Sequence, residues 1–293
     1  MKQLTPVILR GNSMRQGIRL LLPIGIACLS SCGGGNSESV SQMASSTGGP
    51  PTGYTLVWSD EFNTDGLPDS SKWVYDIEAN ATGWYNNELQ YYAAGRLENS
   101  RISDGKLIIT ARKEALTSEP DYGGQQYSSA RLITRGKASW TYGFVEVRAK
   151  LPCGQGTWPA IWMLGVNGQW PAGGEIDIME QTGSQPSTIY GTIHNAATAG
   201  TSGNGGQTTV TDACSNFHNY QLTWTPQKLE IGVDGQVYHT YANPGTGSAS
   251  WPFDNPQYLL LNLAIGGDMG GTVDNNIFPV QMEVDYVRVY QKL

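Results

Sequence analysis

Apolar and polar residues alternate with a period of two along much of the chain. Val145, Val147, Ala149 and Leu151 interleave with Phe144, Glu146, Arg148 and Lys150, the pattern of a strand with one face in a core. Leu259, Leu261, Leu263 and Ile265 repeat it around Asn262. Leu229, Ile231 and Val233 run into Asp234-Gly235 and out through Val237, and Asp-Gly suits the two positive-φ positions of a type I′ hairpin. Ile189 to Asn195, Tyr220 to Thr225 and Met282 to Tyr290 are further predicted strands. No stretch shows convincing 3.6 spacing. Many short strands between Gly-rich turns predict an all-β fold, a two-sheet sandwich or jelly roll.

The N-terminus has a different character. Residues 1–31 carry Lys2, Arg10, Arg15 and Arg19, no acid, and an apolar run from Leu20 to Ala27. That run is too short for a ~30 Å hydrocarbon core and reads as a signal peptide, with Met14 a second candidate start. Leu29-Ser30-Ser31-Cys32 followed by Gly33-Gly34-Gly35 resembles a bacterial lipobox. The resemblance implies a diacylglyceryl group on Cys32 and anchoring through acyl chains alone. By analogy Gly33 after the cysteine fits outer-membrane sorting; plain secretion is the alternative. Residues 32–53, rich in Gly, Ser, Thr and Pro, predict a flexible tether, which leaves 54–293 as one domain.

Composition narrows the partners. The 293 residues hold 18 Lys+Arg against 25 Asp+Glu, a net charge of −7. With no basic cluster, nucleic acid is excluded as a partner, because phosphate binding needs concentrated positive charge. His194, His218 and His239 lie far apart in sequence, without a local pair for zinc. No nucleophile-elbow or P-loop motif occurs. Cys153 and Cys214 are candidates for a disulfide in an exported domain, if the fold brings their Cβ atoms together.

The concentrated chemistry is Glu175-Ile176-Asp177-Ile178-Met179-Glu180. On a regular strand Glu175 and Asp177 share one face and the isoleucines the other. Strict alternation would bury Glu180, whereas a β-bulge near Met179 would return it to the acidic face. The outer Cα atoms would then lie roughly 13 Å apart, and inward-leaning side chains could approach the 5–5.5 Å carboxyl separation typical of a retaining glycosidase. Carboxylates so close cannot all ionise freely, so one glutamate is expected to stay protonated at neutral pH. A solvated face and a calcium site are the competing readings. The first leaves the isoleucine backing and Gly173-Gly174 edge unexplained. The second would favour loop carbonyls and Asn/Asp ligands.

Glu-Ile-Asp-Ile-Met-Glu resembles the signature of glycoside hydrolase family 16 in its bulged, laminarinase-like branch. Trp58-Ser59-Asp60-Glu61-Phe62, the segments Asn86 to Tyr92 and Gly156 to Leu164, and the closing Val284 to Tyr290 are similar as well. The resemblance implies a concanavalin A-like jelly roll with a concave substrate cleft and endo-hydrolysis of β-1,3-glucan, with mixed-linkage glucan a further substrate. It makes Glu175 the nucleophile, Asp177 its assistant and Glu180 the acid/base. It further implies cleft-lining Trp158, Trp162 and Trp170, and sugar-binding Asn86 or Asn87, Arg131 and His194. A structural calcium at Glu61, Gly105 and Asp285 also follows by resemblance, with no catalytic cofactor and a monomeric state. The residues themselves support the tryptophans, since an indole plane suits the C–H face of a pyranose; Trp58 and Trp73, away from the motif, are expected in the core. Other readings are a hydrolase of agar or carrageenan, and a non-catalytic carbohydrate-binding jelly roll.

Overall fold

The computed structural model describes residues 49–199, 201 and 203–292. The predicted signal peptide and Cys32 lie outside the described residues, as does most of the tether. The described residues fall within one compact unit, Ser45–Leu293. Its strands are β1 (Tyr54–Asp60), β2 (Val74–Tyr75), β3 (Gln90–Tyr92), β4 (Ser100–Ser103), β5 (Lys106–Ala111) and β6 (Tyr127–Ser129). They continue with β7 (Arg131–Ile133), β8 (Gly143–Lys150), β9 (Thr157–Gly165), β10 (Glu175–Gln181), β11 (Thr188–His194) and β12 (Asn204–Thr209). The last are β13 (His218–Trp224), β14 (Lys228–Val233), β15 (Gln236–Ala242), β16 (Gln257–Ile265) and β17 (Val280–Lys292). One four-residue helix, α1 (Gly267–Gly270), precedes β17.

Two antiparallel sheets carry the fold. One is ordered β15-β14-β13-β8-β17-β5-β4, with β1 also on β17; the other is β12-β11-β10-β9-β16-β7-β2. The predicted alternation is what packs them together. Val145, Val147 and Ala149 of β8 and Tyr220, Leu222 and Trp224 of β13 meet Ile161, Met163, Ile176, Ile189 and Ile193 of the facing sheet in one core. Such a core excludes water from both inner faces and supplies the main folding free energy. Asp234 and Gly235 both have positive φ and join β14 to β15, as the dipeptide predicts. Trp73 is buried, and Trp58 packs edge-on against Trp73 and Trp140, as expected of core residues.

Strand β16 departs from simple alternation: both its faces are buried. Leu259, Leu261, Leu263 and Ile265 enter the main core, while Leu260 packs with Ile133 and Tyr258 on the opposite face. The concave sheet is therefore covered over part of its outer surface.

Cys153 and Cys214 form a disulfide, their Cα atoms 5.6 Å apart. The pairing register also carries Glu61, Gly105 and Asp285 toward the point where β17 exchanges β5 for β1. Their side chains do not form a calcium cage. Both carboxylate oxygens of Glu61 accept from Arg288, at 2.9 and 2.7 Å, and Asp285 accepts from Arg148 at 3.0 Å. Two guanidinium groups already compensate those charges, so only main-chain oxygens suit a cation there.

Candidate active site

The three acids of β10 emerge on the outer face of the second sheet because the strand carries a bulge. Asp177 pairs with Trp162 of β9, but the next partners are Met179 with Ile161 and Glu180 with Ala160. Two residues of β10 thus advance against one of β9. Ile178 and Met179 consequently both enter the core, and Glu180 returns to the face of Glu175 and Asp177. Gly174, just before β10, has φ +80°, and a Cβ there would lie 2.7 Å from the Phe253 ring. Only glycine fits that approach without rearrangement.

Each acid has defined partners. Trp158 Nε1 donates to Glu180 Oε1 at 2.9 Å, and Trp170 Nε1 donates to Glu175 Oε2. Asp177, between them, is 3% exposed; His194 Nε2 lies 3.4 Å from its Oδ2. Among the described residues, Glu175, Asp177 and His194 are the group able to offer three ligand atoms to one cation, all within 4.8 Å of each other.

Burial raises all three carboxyls. Glu180 is pushed up to about 7, chiefly by burial; the Trp158 N–H opposes this, and the charges of Glu175 and Glu88 add to it. Glu175 is raised by burial first and by the Asp177 charge second, with His194 and the Trp170 N–H pulling the other way. Asp177 is held well above the carboxylate range by burial and then by Glu180. Near neutral pH the cluster therefore retains protons, as the crowding of acids predicts.

The expected tryptophans take different positions. Trp170 is 62% exposed at the rim. Trp162, on the cleft face of β9, is half-buried and donates to Asn262 Oδ1 at 2.7 Å. Trp158 is 8% exposed, so its contribution is the N–H on Glu180 rather than an open stacking face. Arg131 is sandwiched, its Cζ 5.0 Å from the Trp84 ring and 4.7 Å from Trp162, with Nε 3.0 Å from Asp76 Oδ2. Asn86 and Asn87 occupy a short turn, Tyr85–Asn87, both with positive φ. Asn87 Nδ2 donates to Asp268 Oδ1 at 2.8 Å, stapling that turn to α1, while the Asn86 side chain is exposed.

Several cleft residues gave no signal in the sequence. Trp84, buried and donating to Asn80 Oδ1, Asp76 and Asn262 reach the site only through long-range pairing. Glu88 is a fourth acid nearby; its Oε2 accepts from Gln90 and Tyr92, and burial raises its pKa.

A sandwich that sets three partly protonated carboxyls among indole rings on one concave face has the construction of a glycosidase. The family model for glycosyl hydrolases family 16 matches residues 87–288. A crystal structure of SCLam, a non-specific endo-β-1,3(4)-glucanase, is 57% identical, with TM-score 0.81, covering 84% of this chain and 94% of that one. A SCLam mutant structure presenting 1,3-β-D-cellobiosyl-glucose at its active site is 56% identical, with TM-score 0.81, over 83% of this chain and 97% of that one. A β-glucanase of Rhodothermus marinus is 48% identical over 252 residues, 81% of this chain and 85% of the relative. The chain belongs to glycosyl hydrolases family 16 and is a glycoside hydrolase.

Proposed function

We propose that the protein cleaves internal β-1,3 bonds of laminarin-type glucan, and mixed-linkage β-1,3/1,4-glucan, with retention of anomeric configuration. The observation that carries this reading is the Ile178–Met179 bulge, which aligns Glu175, Asp177 and Glu180 on one face. Glu175 attacks the anomeric carbon while Glu180 protonates the departing glycosidic oxygen, leaving a glycosyl ester on Glu175. Glu180 then takes a proton from water, the water oxygen bonds to the anomeric carbon, and the ester bond breaks. Asp177, the most deeply buried acid, keeps its proton and hydrogen-bonds Glu175, whose anion is favoured by the Trp170 N–H and by His194. Trp162 and Trp170 contact the sugar faces, and Asn86, Arg131 and His194 serve its hydroxyls.

The test is reducing-sugar release from laminarin, curdlan, lichenan, agarose and carrageenan, with NMR of the first product. β-Configured product from laminarin is expected, with Glu175→Gln and Glu180→Gln each lowering turnover by several orders of magnitude. Full activity in either variant, initial α-anomer, or cleavage of the galactans alone would overturn the assignment.

Three peripheral proposals accompany it. Cys32 carries the lipid anchor on the cell envelope, so Cys32→Ser should release the enzyme from membranes. The protein acts as a monomer, to be read by light scattering. Calcium binds near Glu61, Gly105 and Asp285 through main-chain oxygens, so adding it to chelated protein should raise Tm.

A further inference from the structure

The outer face of the other sheet, across the core from the three acids, carries a second concentration of polar groups. Leu107, Ile109 and Ala111 of β5 enter the core, so Lys106, Ile108 and Thr110 turn outward. The register sets Arg101 of β4 beside Ile108, and Gln281 of β17 beside Thr110. Arg101, Thr110 and Gln281 line a cavity of about 310 Å³ together with Arg112, the residue that follows β5.

This lining is rich in donors that lack good acceptors. Thr110 is 1% exposed, and its Oγ1 accepts from Arg101 Nη1 at 3.4 Å and from Gln281 Nε2 at 3.3 Å. Both bonds are long against a usual ~2.9 Å, and the Thr110 hydroxyl has its own proton still to donate. Arg112 Nε lies 3.2 Å from Glu114 Oε1 without the alignment of a hydrogen bond. Glu114 already accepts from Arg96 and Ser128. Glu98, the acid in the lining, is matched by Arg96, whose Nε is 3.6 Å from Glu98 Oε2. Among the described residues, Arg101 has no carboxylate at ion-pair distance. The cavity thus holds an uncompensated guanidinium in a chain of net charge −7. Leu97 and Pro279, both exposed, are its apolar lining.

We propose that this cavity binds one acidic sugar, with the carboxylate or sulfate oxygens of that sugar on Arg101, Arg112 and Thr110. A guanidinium presents parallel N–H groups that match such an oxyanion. A neutral sugar brings donors as well as acceptors and would leave the excess of protein donors unmatched. A bare ion would leave Leu97, Pro279 and Glu98 unused. The first two offer apolar surface to the C–H face of a pyranose, and the carboxylate accepts from its hydroxyls. The volume stands at the small end of ligand pockets, about 300–1,000 Å³, which suits a single ring. The cleft lies on the opposite face of the sandwich and stays open while this cavity is filled.

The test is calorimetric titration of wild type, Arg101→Ala, Arg101→Lys and Arg112→Ala with sodium glucuronate, glucose 6-sulfate, inorganic sulfate and glucose. Saturable binding of glucuronate or glucose 6-sulfate is expected, the tighter of the two identifying the oxyanion. Inorganic sulfate should bind more weakly, and glucose should give no saturable signal. Arg101→Ala and Arg112→Ala should each weaken the sugar acid about tenfold or more, the scale of one hydrogen bond to a charged partner. Arg101→Lys should recover part of that loss, because the charge returns without the fork. Near-UV circular dichroism matching wild type establishes that each variant is folded. Arg101, held by one long bond, keeps the test decisive should Arg112→Ala unfold. No saturable binding of either sugar acid, glucose bound as tightly as the acids, inorganic sulfate bound alone, or sugar-acid binding undiminished in Arg101→Ala would overturn the proposal.

Discussion

Replacing Trp158 with Phe keeps an aromatic ring in a nearly closed site and removes one group, the indole N–H that lies 2.9 Å from Glu180 Oε1. That bond favours the carboxylate over the carboxylic acid and lowers a pKa which burial has pushed up to about 7. A hydrogen bond to a charged partner contributes about 1.5–3 kcal/mol. At 1.36 kcal/mol per pKa unit, its loss raises the proton affinity of the cluster by about 1–2 units. Glu180 must be protonated to assist departure of the leaving group, so the basic limb of kcat/KM against pH should move upward by that amount. The profile reports the free enzyme, and the shift belongs to the coupled acids jointly. Initial rates on laminarin from pH 4 to 10 give the readout. A basic limb that stays in place, or moves to lower pH, would refute the reasoning.

Other expected outcomes follow from the same contacts. Glu180 holds its proton more tightly in the fold than at its ordinary value of 4.5, so its contribution to stability is complete below pH 4.5 and falls away as pH rises through about 7. Glu180→Gln should accordingly show little Tm change at pH 4 and a raised Tm at pH 8, measured by calorimetry. The Cys153–Cys214 bridge spans 61 residues, for which chain entropy predicts about 4 kcal/mol; Cys153→Ala with Cys214→Ala should lower Tm by on the order of 10 °C. Arg131→Ala would leave Asp76 buried without its cation and should destabilise the fold by about 3–5 kcal/mol in urea titrations. Arg131→Ala with Asp76→Asn should recover much of that loss.

The strands of the core and the bulge were legible because their signals are local. Ile176, Ile178 and Met179 among three acids admit few arrangements that bury the first set and expose the second. The hairpin at Asp234-Gly235 is equally local. The Trp84–Arg131–Trp162 stack was not legible, since its members belong to a loop, β7 and β9 and meet only after the sheet forms. The family resemblance implies Arg131 and Trp162 as cleft residues, whereas no motif in the sequence points to Trp84. The burial of Trp158 and the double coverage of β16 escaped for a related reason. Periodicity predicts which face a residue occupies, but not whether a neighbouring loop covers it.

Strand β17 lies inside its sheet with β8 on one side, while on the other β5 pairs with its first half and β1 with its second. That one strand therefore joins β1, the β8 side and the β5–β4 pair into a single sheet. Without Val280–Lys292, Tyr54–Asp60 would lose its ladder partner among the described residues, and β5 with β4 would part from β8. A break in this one strand would therefore disconnect the sheet at several seams at once.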